Sequence, residues 1–209
     1  MDERPSLLFT VFVEVEPANS TEFNTWYNTV HVPEVMDCPG FLTSVRYQEQ
    51  NADGKFMAMY QLEGQDALET THFSKARGWK EMQSVVKVSS SAVWRHIFTA
   101  SPGKGSQAGN EPSLLRFNRS SVQENHDDEF NSWYNQEHLG ELLDCPGWVS
   151  ASRYKAIRGD YQYLATYELS GQQAFESSDY LKARGFKSVE AYVTAASTLT
   201  YKPIFKYAK

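Results

Sequence analysis

From Leu7 to Val15 the chain is rich in β-branched and aromatic side chains, with Phe9, Val11, Val13 and Val15 alternating on one side and no glycine or proline among them. That period predicts a strand. The pattern then changes. Asn19 stands three residues before Glu22, an arrangement that caps and opens a helix over about residues 20–36, and Pro39-Gly40 stops it. Strand patterns return over residues 41–49 and 55–63, joined by the turn residues Asn51-Ala52-Asp53-Gly54. A second helical stretch covers about residues 65–87, where Gly78 after Lys75 and Arg77 is a break signal, and residues 90–99 make a fourth strand. The predicted order is strand, helix, strand, strand, helix, strand.

The whole pattern occurs twice. Residues 22–47 return without a gap as residues 129–154, with 14 of 26 positions identical. The repeated residues include Trp26/Trp133, Tyr27/Tyr134, Asn28/Asn135, His31/His138, Glu34/Glu141, Cys38/Cys145 and Arg46/Arg153. The same offset pairs Pro5-Ser6-Leu7-Leu8 with Pro112-Ser113-Leu114-Leu115, Lys75-Ala76-Arg77-Gly78 with Lys182-Ala183-Arg184-Gly185, and Ile97-Phe98 with Ile204-Phe205. Two units of normal domain size follow, over residues 1–100 and 112–209. Residues 101–111, rich in glycine and serine and without apolar periodicity, read as a linker. In the second unit Arg158-Gly159-Asp160 is the expected hairpin turn.

The order βαββαβ defines a ferredoxin-like unit, whose four-stranded antiparallel sheet carries helices on one face. The other face needs a cover. Two units in tandem supply it by closing their sheets into an α+β barrel. The expected fold class is therefore α+β, two ferredoxin-like repeats.

Composition narrows the function classes. With 41% apolar and 14% aromatic residues, the chain has enough apolar surface for a core. A net charge of −6 without a basic stripe argues against nucleic-acid binding. No apolar run reaches the length of a membrane span, and the charged start at Met1-Asp2-Glu3-Arg4-Pro5 does not read as a secretory signal. With two cysteines at equivalent positions, a reducing cytoplasmic setting is the simpler expectation. The expected partner is a small-molecule substrate, and the chain is a monomeric pseudo-dimer or a homodimer.

The motif F-N-x-W-Y-N-x-x-H-x-x-E, followed by C-P-G-[FW] and R-Y, is present in both halves. With the strand order it resembles the dimeric α+β barrel superfamily, and within it the EthD-like and antibiotic-biosynthesis-monooxygenase-like proteins. The resemblance covers nearly all of both repeats and implies the fold. That superfamily hosts cyclases, lyases, cofactor-free oxygenases and haem enzymes, so it does not by itself imply one activity.

Helical spacing places Tyr27, His31 and Glu34, and likewise Tyr134, His138 and Glu141, on one face. A carboxylate beside an imidazole sets its tautomer and basicity, the arrangement of a general acid or base. In that reading His138 and His31 are acid/base candidates, Glu141 and Glu34 orient them, and Tyr134 donates to an oxyanion. Arg116, Asn118, Trp133, Asn135, Arg153 and Tyr167 are the candidate substrate contacts. The competing structural reading has Glu34 serving the turn at Asp37-Cys38-Pro39-Gly40, Trp26 and Trp133 packing the core, and Arg77/Arg184 ending helices. H-x-x-E near cysteine lacks a third ligand at metal spacing. No metal and no cofactor are expected.

The repeats differ on the first strand. Phe9, Val11 and Val13 correspond to Arg116, Asn118 and Ser120. Polar groups there are tolerated most readily in a solvated or ligand-filled cleft, because burying them unpaired is costly. Unit two is thus expected to carry the working site. The leading expectation is a cofactor-independent cyclase, dehydratase, isomerase or lyase acting on an oxygenated aromatic or polyketide-like metabolite. The alternatives are a cofactor-free oxygenase of a phenol, and a haem or small-molecule binding protein without catalysis.

Overall fold

The computed structural model describes residues 7–100 and 111–208. The linker expected over 101–111 and the start of the chain lie almost wholly outside these residues. The first repeat contains strand β1 (Leu7–Val15), helices α1 (Ser20–Trp26) and α2 (Val32–Met36), strands β2 (Phe41–Glu49) and β3 (Lys55–Leu62), helix α3 (Thr71–Ala76) and strand β4 (Val86–Ala100). The second contains β5 (Leu114–Val122), α4 (Asp127–Trp133), α5 (Leu139–Leu143), β6 (Trp148–Arg158), β7 (Tyr163–Leu169), α6 (Ser178–Ala183) and β8 (Val193–Ala208).

The chain divides into two compact units that do not coincide with the two repeats at their ends. One unit runs to His96 and adds Ile157–Gly159 and the chain from Lys202; the other comprises Ile97–Ala156 and Asp160–Tyr201. Each long final strand, β4 and β8, thus gives its last residues to the unit built by the other repeat. The strands are hydrogen-bonded in the order β1-β3-β2-β8-β5-β7-β6-β4, which closes on itself. This is the α+β architecture expected from the repeat. Closure removes the unpaired strand edges that open sheets must protect.

In the first unit β1 is central, antiparallel to β3 and β4, with Phe9 opposite Tyr60 and Val93. β2 extends the sheet, placing Arg46 opposite Ala58. Phe23, Val32 and Met36 from α1 and α2, all 0% exposed, pack with Phe9, Phe56 and Tyr60 in one core. Each such side chain contributes roughly 1.5–3 kcal/mol by leaving water. The second unit repeats the scheme, with β5 between β7 and β8 and Phe130, Leu139 and Leu143 in its core.

Two local expectations differ from the structure. The first helix is not uniform. Asn19 makes no side-chain cap and closes a short 3₁₀ turn, Pro17–Asn19, ahead of α1. Between α1 and α2, residues Tyr27–His31 form a π turn in which the Val32 N–H donates to the Tyr27 carbonyl, five residues back. Tyr134–His138 do the same between α4 and α5. The second helical stretch is also shorter than its pattern suggests. α3 has six residues, capped by the Thr70 hydroxyl accepting from the Phe73 N–H at 3.0 Å, and it ends where Arg77 turns extended. Gly78 then takes a φ of 96°, a left-handed conformation that a helix cannot continue through.

Candidate functional site

The π turns shape the site. In an α-helix, residues five apart point about 140° away from each other, since each residue turns the chain by 100°. The extra residue of a π turn brings them together. Trp26 and His31 consequently stack, with ring centroids 5.0 Å apart and planes at 18°, and Trp133 and His138 stack at 4.6 Å and 20°. Tyr27 and Tyr134 meet the same imidazoles edge-on at 4.7 and 5.0 Å. Such π turns recur at functional positions of helices.

This geometry corrects the expected His–Glu pairs. Drawn back against the tryptophans, the imidazoles do not meet the carboxylates. Glu34 ion-pairs with Lys80 and Glu141 with Lys187. The lysines come from the segments after α3 and α6, at left-handed φ values of 43° and 45°. Among the described residues no group partners Nδ1 of His31 or His138. Burial pushes the His31 imidazole down to about 4, with Lys80 and Arg46 adding to the push; burial, Lys187 and Arg153 push His138 down to about 3. Both histidines are neutral at neutral pH, and neither has a carboxylate to orient it or raise its basicity.

Each unit holds one cavity beside these residues. In the second unit a cavity of about 360 Å³ is bounded by Arg116, Asn118, Tyr134, His138 and Arg184, together with the apolar walls Leu142, Trp148, Tyr180 and Phe186. In the first a cavity of about 270 Å³ is bounded by Phe9, Val11, Tyr27 and His31, with Tyr60, Phe73 and Trp79 as further aromatic walls. Arg116 and Asn118 therefore face a cavity, where Phe9 and Val11 stand in the other unit. Ser120, the third residue of that set, is buried at 5% exposure.

Arg116 donates to the Thr200 hydroxyl at 2.8 Å and lies 5.1 Å from the centroid of Phe175. Among the described residues no carboxylate pairs with it, and burial pulls its pKa down. A half-buried cation facing a cavity without a counter-ion is an anion site by its electrostatics. Next to it the Tyr134 hydroxyl lies 2.8 Å from that of Tyr167 and is hydrogen-bonded to Asn118. Burial raises both tyrosine pKa values, so both hydroxyls are protonated donors.

Arg153 is placed differently from its expected role. It is 0% exposed and does not face the cavity. Its guanidinium carbon lies 4.1 Å from the Tyr134 ring centroid, and Nη1 donates to the Asn135 side-chain oxygen at 2.7 Å. Arg153 and Asn135 thus support the Tyr134 ring from behind. Trp133 supports the His138 ring, and Tyr167 reaches the site through the Tyr134 hydroxyl. Glu34 and Glu141 stand outside the two cavities. In the other direction, Tyr180, Phe186 and Trp148 face the cavity and are not among the expected contacts, and Arg184, read first as ending its helix and only second as a substrate contact, faces it too. The repeated Lys-Ala-Arg-Gly segment was the available signal for Arg184: Arg77 and Arg184, one residue past their helices, both face cavities.

Comparisons with known proteins place this fold. An anthrone oxidase-like protein of known structure is similar over 99% of this chain and 94% of its own, with a TM-score of 0.75 at 13% identity. A protein from Lactobacillus acidophilus NCFM, provisionally described as a monooxygenase, matches over 97% and 96% with a TM-score of 0.63 at 8% identity. A mutant chlorite dismutase from Candidatus Nitrospira defluvii matches over 97% and 93% with a TM-score of 0.65 at 11% identity. What they share with this chain is the fold. That fold is an α+β barrel, and nothing in these similarities singles out the EthD-like branch. Residues 6–86 match the family described as a domain of unknown function, DUF4286. No curated protein matches by sequence.

Among the described residues, no group of three or more His, Cys, Asp or Glu is placed to hold a metal ion, and no helix is long and apolar enough to cross a membrane. A haem fits the second cavity poorly. At about 360 Å³ it is near the lower end of small-ligand sites and suits a compact ring system.

Proposed function

We propose that the second unit binds a small planar oxygenated aromatic compound as its enolate or phenolate, and that the protein oxygenates this compound with molecular oxygen. One observation carries the reading. Arg116 faces the cavity without a counter-ion, beside the protonated Tyr134 hydroxyl and the Asn118 amide. These groups stabilise an oxyanion on a ring held between Trp148, Tyr180 and Phe186. The fold shared with an anthrone oxidase-like protein supports it.

The chemistry balances with oxygen as the sole oxidant. The substrate's acidic C–H, or the O–H of a phenol, gives its proton to His138, whose low basicity rises when an anion forms next to it. The carbanion adds O₂ to give a peroxide on that carbon, and the imidazolium returns the proton to the distal oxygen. Loss of the remaining C–H proton with the O–O bond yields a carbonyl and one water. Cyclase or dehydratase chemistry finds less support, because it was built on a His–Glu pair and Glu141 is held by Lys187.

Oxygen consumption with hydroxylated anthrones and naphthols as substrates tests the proposal. Stoichiometric uptake, one labelled oxygen in the product from ¹⁸O₂, and a loss of about 10²-fold or more in kcat/KM for Arg116→Leu are expected. Equal product formation under anaerobic conditions would overturn it, as would a Soret-absorbing form that alone is active. Tight binding with no turnover of any of these compounds would make the protein a binder.

A further inference from the structure

We infer that the cavity of the first unit is a second ligand site, which takes a neutral aromatic molecule. It is therefore not a copy of the site in the second unit.

The two cavities are built by the same positions. At the offset of the repeat, Tyr27, His31, Tyr60 and Arg77 correspond to Tyr134, His138, Tyr167 and Arg184, while Phe73 and Trp79 correspond to Tyr180 and Phe186. The first cavity remains open at about 270 Å³. What has changed is its polarity. Phe9 and Val11 stand where Arg116 and Asn118 do, and Phe73 lacks the hydroxyl of Tyr180.

The consequences show in the local geometry. No amide stands at position 11, and the Tyr27 and Tyr60 hydroxyls lie 3.3 Å apart, against 2.8 Å for Tyr134 and Tyr167. Phe9 stacks on Tyr60 at 5.9 Å and meets Phe73 edge-on at 6.0 Å, forming an apolar corner. The cations left at this cavity, Arg77 and Arg158, are solvent-exposed, and the serines Ser89, Ser90 and Ser91 are exposed as well. At the mouth, the Trp79 indole N–H donates to the Ser89 hydroxyl at 3.3 Å. An anion moved into this interior loses its hydration and meets no buried cation in the cavity wall in exchange, because the buried Arg46 lies behind the Tyr27 ring. A neutral ring gains aromatic contacts on several sides, and the two tyrosine hydroxyls can serve one carbonyl or hydroxyl group.

The test uses the full chain and two probes with the same ring, neutral 2-naphthalenemethanol and anionic 2-naphthoate, followed by calorimetry and by tryptophan fluorescence. We expect each probe to bind one site and neither to displace the other. Val11→Asn installs the side chain of the second unit, and Trp79→Ala opens the mouth at a half-buried position. Both are expected to weaken the neutral probe at least about tenfold and to leave the anion unchanged. Arg116→Leu should do the reverse. The inference is overturned if the two probes compete for one site, or if the neutral probe is indifferent to both first-unit variants while folding is intact by circular dichroism. Because the readout is binding to the first unit, a protein that fails to consume oxygen leaves this result standing, and the converse holds too.

Discussion

Lys187 is ion-paired with Glu141 and lowers the basicity of His138, the residue Glu141 was expected to orient. The same relation links Lys80, Glu34 and His31 in the first unit. The carboxylates therefore tether the segments after α3 and α6 to the helices. The imidazoles sit on the tryptophans, uncharged.

A first prediction follows for Glu141→Gln. The ion pair is about half exposed to solvent, and pairs of that kind contribute roughly 0–1 kcal/mol. Stability should fall by no more than about 1 kcal/mol, and turnover should change by less than about threefold. A loss of 10² or more in kcat with an unchanged fold would return Glu141 to the role of orienting His138. Steady-state kinetics and urea unfolding of the variant decide between these.

The histidines predict a stability profile against pH. Unfolded histidine titrates near 6.5, while His31 and His138 do so at about 4 and about 3 in the fold. Between these values the unfolded chain binds more protons, so stability rises with pH. It is complete above about pH 6.5 and is lost as the pH falls, at about 1.4 kcal/mol per pH unit for each histidine while the difference lasts. Urea unfolding of the wild type and of His138→Phe at pH 7 and pH 4.5 checks this. The variant should lose less stability on acidification, and an identical loss would contradict the neutral buried imidazole.

Arg46 and Arg153 predict unequal costs of truncation. Arg46 donates to Asn28 at 2.6 Å and to Asn24 at 2.8 Å, whereas Arg153 donates to Asn135 alone among the corresponding amides and leaves Nη2 without a protein partner. Asn131, the counterpart of Asn24, donates instead to Tyr163 and to the Asp127 carbonyl. Arg46→Leu leaves two amide oxygens unpaired, a penalty of roughly 1–3 kcal/mol each. It should destabilise the protein more than Arg153→Leu does. Denaturation midpoints with equal m-values for both variants provide the measurement.

Tyr134→Phe and Tyr27→Phe test the asymmetry between the units. Removing the Tyr134 hydroxyl takes away the partner of the Tyr167 hydroxyl and of the Asn118 amide, together with the donor to an oxyanion formed there, and should lower turnover by about 10²-fold. Tyr27→Phe breaks the longer 3.3 Å contact and should leave turnover within about threefold. Equal losses in the two variants would mean that both units catalyse the same reaction.

The repeat, its strand and helix order and the α+β class could be read from the chain, because they rest on the apolar period and on turn residues, which are local. The polar replacement of Phe9 and Val11 by Arg116 and Asn118 also showed in the sequence, since alternation along a strand puts these positions on one face whatever surrounds them. The pairing of Glu141 could not be read in that way. It depends on the π turn at Tyr134–His138, which rotates His138 toward Trp133, and on Lys187, 46 residues away. Arg153 looked like a substrate contact because a charge kept in both repeats suggests chemistry, yet packing buries it under Tyr134. Which side chains share a helix or strand face is set by backbone periodicity, so the sequence by itself determined the two repeated sheets and their helices. Which charges meet, which rings stack and which cavity keeps a cation depend on contacts between distant segments, and only the tertiary structure decided those.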